Sequence, residues 1–67
     1  MDAYQKAYRK RVEILRNSKE YGNIAAGVVG IIEAIFEVAA EQGYSNDFIV
    51  EEVKETIRAY KEAVGEK

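Results

Sequence analysis

The sequence predicts an all-α protein, a compact three-helix bundle that forms a single helical domain over residues 1–67. Apolar residues recur at the helical period in three successive segments. The chain has no proline and only five glycines, which leaves little material for turns. Its 48% apolar and 33% charged residues are typical of a globular chain. We expect helices over about residues 3–21, 23–42 and 46–64, with tight connections that make neighbouring helices antiparallel.

The first segment is amphipathic, since its apolar residues fall on one side of a helix. We expect this helix to end near Tyr21, because Gly22 and Asn23 form a good breaker pair. Arg11 is an exception, because it falls within the apolar stripe. The stripe consists of Tyr4, Tyr8, Val12 and Leu15, widened by Ala7 and Ile14.

The second segment is apolar over about half of its circumference, wider than the roughly 100° stripe of a surface helix. Asn23 is the expected N-cap, and Gly43 the expected end. The wide arc places Phe36 in the core. Residues 25–32 resemble a buried strand, but the apolar pattern continues at helical spacing through residue 38, which favours a helix.

The third segment begins near a capping residue, Ser45, Asn46 or Asp47, and carries acidic residues in its first turns, where they suit the helix dipole. A clean apolar stripe runs along it, opposite a solvated face. The stripe is Ile49, Val53, Ile57, Tyr60 and Val64, and the solvated face is Lys54, Glu55, Arg58 and Glu62.

The composition argues against most enzymes and metal modules. The chain has no cysteine and no histidine, the commonest metal ligand and general base near neutral pH. It has neither a glycine-rich phosphate loop nor a nucleophile–base pair, so we expect no enzyme, no cofactor and no small-molecule substrate. The longest uncharged run, residues 21–32, is shorter than the roughly 20 residues of a membrane span. With no signal peptide apparent, we expect no membrane partner and a cytoplasmic location.

Charge is distributed unevenly along the chain. Residues 1–20 hold six basic and three acidic groups, a net of +3, whereas residues 21–67 hold four basic and nine acidic groups, a net of −5. One face of the first helix could bind phosphates of a nucleic acid through a basic row. The alternative that we favour is that this row is solvated or pairs with Glu33 and Glu37 of the second helix. The row consists of Lys6, Arg9, Lys10 and Arg16.

Two further patterns have ordinary explanations. Glu33, Glu37 and Glu41 have a spacing that could bind a divalent cation, but bundle sites of this kind generally add histidines, so a solvated acidic row is favoured and no metal is expected. The second pattern resembles the corner of helix-turn-helix motifs. The helix after it is acidic, and only Asn46 and Lys54 suit base recognition, so we expect the shape of the corner without DNA reading. The corner residues are Ala39, Gly43, Ser45 and Ile49.

The small residues of the second helix are the candidate interface. A glycine inside a helix costs roughly 1 kcal/mol relative to alanine, and close approach of another helix commonly offsets that cost. We expect a second copy or a protein partner to dock on this row, because the apolar faces exceed what so small a bundle can bury. The sequence thus predicts a protein–protein interaction module of adaptor or inhibitor type, as a homodimer; the alternative is a nucleic-acid-associated protein. The interface row is Ala26, Gly27, Gly30 and Ala34.

Overall fold

The computed structural model describes residues 2–65, which form three helices joined by short connections. Helix α1 is Ala3–Glu20, α2 is Ile24–Gln42 and α3 is Asn46–Gly65. The prediction of an all-α three-helix bundle is confirmed, and each helix boundary lies within one residue of its predicted place. Residues 25–32, the candidate strand, are helical.

The first two helices begin at capping side chains. The Asp2 carboxylate accepts a hydrogen bond from the Gln5 backbone N–H at 2.8 Å. The Asn23 side chain, as predicted, accepts one from the Ala26 backbone N–H at 3.3 Å. Both bonds satisfy a backbone donor that has no partner inside its own helix.

Both connections turn at a glycine in the left-handed region. Gly22 has φ of 77° and Gly43 has φ of 70°, a conformation that other residues adopt only with strain. After Gly43 the chain closes α2 with a hydrogen bond from the Tyr44 N–H to the Ala39 carbonyl at 2.9 Å. The two turns fold the chain back on itself twice, which makes consecutive helices antiparallel.

The core is small, and it lies where the three helices meet. Three of its members are alanines, so the helices approach closely there. The Cα atoms span 37 × 26 × 15 Å, a flattened shape that leaves much of α2 outside the core. The buried apolar residues are Val12, Leu15, Ile31, Ile35, Ala39, Ala59 and Ala63.

Helix α3 does not face the core with the centre of its apolar stripe. Its buried residues are Thr56, Ala59 and Ala63, whereas Ile57 is 49% exposed and Tyr60 is 37% exposed. The inner face therefore lies about a quarter turn from the stripe, at 100° per residue. Small side chains occupy the line of closest approach, and the larger ones of the stripe lie at its edge.

The placement of Phe36 in the core is wrong. Its side chain is 53% exposed, while its neighbour Ile35 is 5% exposed. The inner side of α2 is narrow, so part of the wide apolar arc, at Val29, Phe36 and Val38, remains exposed.

Candidate functional site

An apolar surface lies along α2 and α3 on one side of the molecule; we call it the uncharged face. Phe36 and Val29, which are 53% and 54% exposed, lie one helical turn on either side of Ile32. Beside them, between the two helices, is a hollow of about 210 Å³. The uncharged face comprises Val28, Val29, Ile32 and Phe36 of α2 with Val53, Ile57 and Tyr60 of α3.

A second apolar surface lies on the opposite flank of α2; we call it the α1–α2 groove. It is a cleft of about 600 Å³ between α1 and α2, with Phe48 of α3 at its lining. All four residues of the predicted interface line this groove, which the structure therefore brings together. They are Ala26, Gly27, Gly30 and Ala34.

The two glycines of the groove have different surroundings. A Cβ atom on Gly27 would overlap the Ser18 Oγ and would lie 2.9 Å from the Ser18 Cβ. The absence of a side chain at Gly27 therefore allows α1 to approach α2 closely at this point inside the bundle. A Cβ on Gly30 would meet nothing within 4 Å, so the groove is open at that position.

Sequence reasoning missed the opposite wall of the groove. Ala7 and Ile14 of α1 line it, and Val38 extends the α2 side. The outward position of Ile14 (37% exposed) at the edge of the first helix's stripe was the available signal, but only the packing of α1 on α2 sets the two walls together.

Two arginines of the predicted basic row form ion pairs with α3. Arg9 and Arg16 lie 3.2 Å and 3.9 Å from the same Glu62 carboxylate. Of the two arrangements in the favoured alternative, pairing with Glu33 and Glu37 is therefore wrong for Arg9 and Arg16, because α1 turns that side towards α3. Lys6 and Lys10 are exposed.

Tyr8 joins Arg9, Arg16 and Glu62 in a polar cluster between α1 and α3. Its hydroxyl donates a hydrogen bond to Glu62 at 2.8 Å, and the Arg58 guanidinium lies 5.5 Å from the centre of its ring. Burial, together with the bond to Glu62, raises the pKa of Tyr8. The same hydrogen bond, assisted by Arg9 and Arg16, lowers the pKa of Glu62. The cluster ties α1 to α3 electrostatically.

Arg11 has a structural role that accounts for its place in the apolar stripe. Its guanidinium forms an ion pair with Glu52 and also donates to the Glu52 carbonyl at 3.2 Å. The buried Thr56 hydroxyl, which itself donates to that carbonyl at 2.9 Å, accepts from Arg11 at 3.4 Å. Because these groups satisfy each other, Arg11 can lie largely inside the bundle.

The acidic row of α2 and the segment that resembles a helix-turn-helix corner take no part in these polar contacts. Glu33, Glu37 and Glu41 are exposed, and within residues 2–65 no three acidic side chains converge as a metal site. In the segment that resembles a helix-turn-helix corner, Ala39 is buried and Gly43 lies at the turn.

Comparison with protein-family models, curated proteins and solved structures gives no significant match. None of the helices over residues 2–65 is long and apolar enough to cross a membrane. A function can therefore be proposed only from the uncharged face and the α1–α2 groove.

Proposed function

We propose that this protein is a non-enzymatic protein–protein interaction module, of adaptor or inhibitor type, that works as a homodimer. The observation that carries the proposal is the uncharged face. A small monomer would leave Val29, Phe36 and Ile57, each about half exposed, in contact with water. Contiguous apolar surface of this kind marks interaction sites.

The uncharged face is suited to a second copy of itself. It carries both a projecting side chain, Phe36, and a hollow of about 210 Å³, so a two-fold axis can bring each Phe36 towards the partner's hollow. Since none of the charged residues within 2–65 lines this face, the two copies meet without like-charge repulsion there. The other exposed side of α2 carries Glu33, Glu37 and Glu41, which would repel their own copies.

Two paired α2–α3 hairpins form a four-helix bundle, with each α1 on the outside. Helices of 19 and 20 residues are about 30 Å long, and helices pack 8–10 Å apart, so the face measures about 30 × 20 Å. That is roughly 600 Å² per copy in projection, at the lower end of specific interfaces. Self-association of this size is also a common way for small domains to gain stability.

The positions of the polar groups support a binding role over catalysis. Tyr8 and Glu62, whose pKa values are shifted, contact each other and the arginines between α1 and α3. Neither residue lines the uncharged face or the α1–α2 groove. Perturbed groups of this type are also found in structural ion-pair networks.

The experiment that tests the proposal is the Phe36→Glu substitution, with mass measured by light scattering. The chain is 7.6 kDa, so a dimer has twice that mass, 15.2 kDa. We expect the dimer mass for the original protein and 7.6 kDa for the variant, because a carboxylate would be buried against its copy.

Tyr21→Glu is the matched control. Tyr21 is an aromatic residue that is 87% exposed, and it lies in the connection between α1 and α2, outside the uncharged face. We expect this variant to remain a dimer. A monomeric original protein, or a folded Phe36→Glu variant of unchanged mass, would rule out dimerisation through this face.

A further inference from the structure

The α1–α2 groove differs from the uncharged face in shape and in charge. It is a cleft between two antiparallel helices, with Gly30 and Ala34 on one wall and Ala7 and Ile14 on the other. Where Gly27 contacts Ser18 the helices are close together, and from Gly30 onward the cleft is open. Residues 27–38 extend about 17 Å along α2, at 1.5 Å per residue.

The edges of the groove carry opposite charges. On the α1 side Lys10 lines the cleft, and Lys6 lies one turn before it on the same face of the helix. On the α2 side, Glu33, Glu37 and Glu41 each follow a groove-lining residue by three positions. Among residues 2–65 no ion pair engages any of these five side chains, so both edges can receive charges from a ligand.

We propose that the α1–α2 groove binds an amphipathic α-helix of another protein. Three turns of such a helix match the length of the cleft, and its apolar stripe would lie on the small residues of α2. One flank of this helix carries acidic side chains, which face Lys6 and Lys10. The other flank carries basic side chains, which face the three glutamates of α2.

A helix fits the groove better than a small molecule does. The cleft is open along its outer side, so a compact ligand would stay largely in contact with water, whereas ligand pockets bury most of their ligand. A helix satisfies its own backbone hydrogen bonds and needs only an apolar floor and charged edges. Gly30 has no side chain and Ala34 has only a methyl group, so a helix backbone can approach α2 closely there.

The groove and the uncharged face lie on opposite flanks of α2, so both can be occupied together. A dimer would then present two grooves, and a partner with two such helices would bind with increased avidity. The groove proposal does not depend on dimerisation, because one chain supplies both walls.

The test uses three synthetic 16-residue helical peptides that share one apolar stripe. The first has acidic residues on one flank and basic residues on the other, the second is acidic on both flanks, and the third is basic on both. Binding to the full chain is measured by fluorescence anisotropy. We expect the mixed peptide to bind most tightly, because only it matches both edges.

Gly30→Leu fills the groove, and Gly30→Ala is its control, since a Cβ at this position meets nothing within 4 Å. Leucine should weaken binding of the mixed peptide about tenfold or more, and alanine by less than about twofold. Circular dichroism checks that both variants stay helical. The triple variant Glu33→Lys, Glu37→Lys and Glu41→Lys should transfer the preference to the doubly acidic peptide.

Equal binding of all three peptides, no binding of any of them, or an unchanged affinity in Gly30→Leu would each overturn the proposal. A hydrophobic dye that binds the groove, is lost in Gly30→Leu and is not displaced by the mixed peptide would indicate a small-molecule site instead.

Discussion

The two flanks of α2 differ in the size of their side chains and in their charge. Towards α3 it shows large side chains such as Phe36 and Val29, and no charge. Towards α1 it shows Gly30 and Ala34, with glutamates along the outer edge. Both flanks are apolar at their centre, but one projects and the other recedes.

The proposed dimer and the proposed helix complex would use these two flanks separately, because the flanks differ in shape and in charge. A face without charge can meet its own copy without repulsion, whereas a groove with lysines along one edge and glutamates along the other favours a ligand whose two flanks carry the complementary charges. The inner line of α2, at Ile31 and Ile35, divides the two flanks.

The largest effect on folding stability should come from Ile35, which lies on the inner line of α2 between the two flanks. Ile35→Ala removes a side chain that is 5% exposed and should lower the free energy of unfolding by about 2–5 kcal/mol through loss of burial and a cavity. Phe36→Ala, one position along, should leave the fold intact and weaken the dimer by about 2 kcal/mol, since a partly exposed ring becomes buried only on association. Urea unfolding and sedimentation equilibrium measure the two quantities. Equal losses of folding stability in both variants would mean that Phe36 is part of the core.

A smaller effect separates the two glycines of the groove. Gly30→Ala should raise the free energy of unfolding by about 0.5–1 kcal/mol, because alanine is the better helix former and its Cβ meets open space. Gly27→Ala should lower it, because the new Cβ would lie 2.9 Å from the Ser18 Cβ. Thermal or urea unfolding gives both values. A stabilised Gly27→Ala variant would show that α1 does not pack closely on α2 at this point.

The α1–α3 contact should make the stability of the protein depend on pH. The pKa of Glu62 is lowered by its bond from Tyr8, so its contribution to stability is complete above its ordinary pKa near 4.5 and is lost as the pH falls through the lower, folded value. Glu62→Gln should therefore be less stable than the original protein at neutral pH, and the difference should shrink in acid. Urea midpoints between neutral and acid pH measure it, and a difference that stays constant would contradict the lowered pKa.

The smallest expected effect concerns the predicted basic row, because Arg9 and Arg16 share the Glu62 carboxylate. We expect no sub-micromolar complex with duplex DNA or RNA at about 150 mM salt, as a chain of net charge −2 does not attract phosphates. Fluorescence anisotropy over a range of salt concentrations tests it. A complex whose affinity falls with a log–log slope of about −3 to −4, and which Arg9→Glu with Lys10→Glu abolishes, would support the nucleic-acid alternative.

The sequence by itself determined the number of helices, their bounds and the turns between them. These features depend on nearby residues: the Asn23 cap, the glycines at positions 22 and 43, and the helical spacing of apolar side chains. It also placed Val12 and Leu15 on the apolar stripe of α1, and both are buried, whereas Tyr4 of the same stripe is 60% exposed.

Only the tertiary structure decided which side of α2 and α3 faces inward. A helix that is apolar over half its circumference has several possible inner faces, and its pattern gives each the same weight. Close packing then selected Ala59 and Ala63 of α3 over the larger Ile57 and Tyr60, because short side chains let three helices approach at once. That choice also set the partners of Arg9, Arg11 and Arg16, since the rotation of each helix determines which carboxylates its arginines can reach.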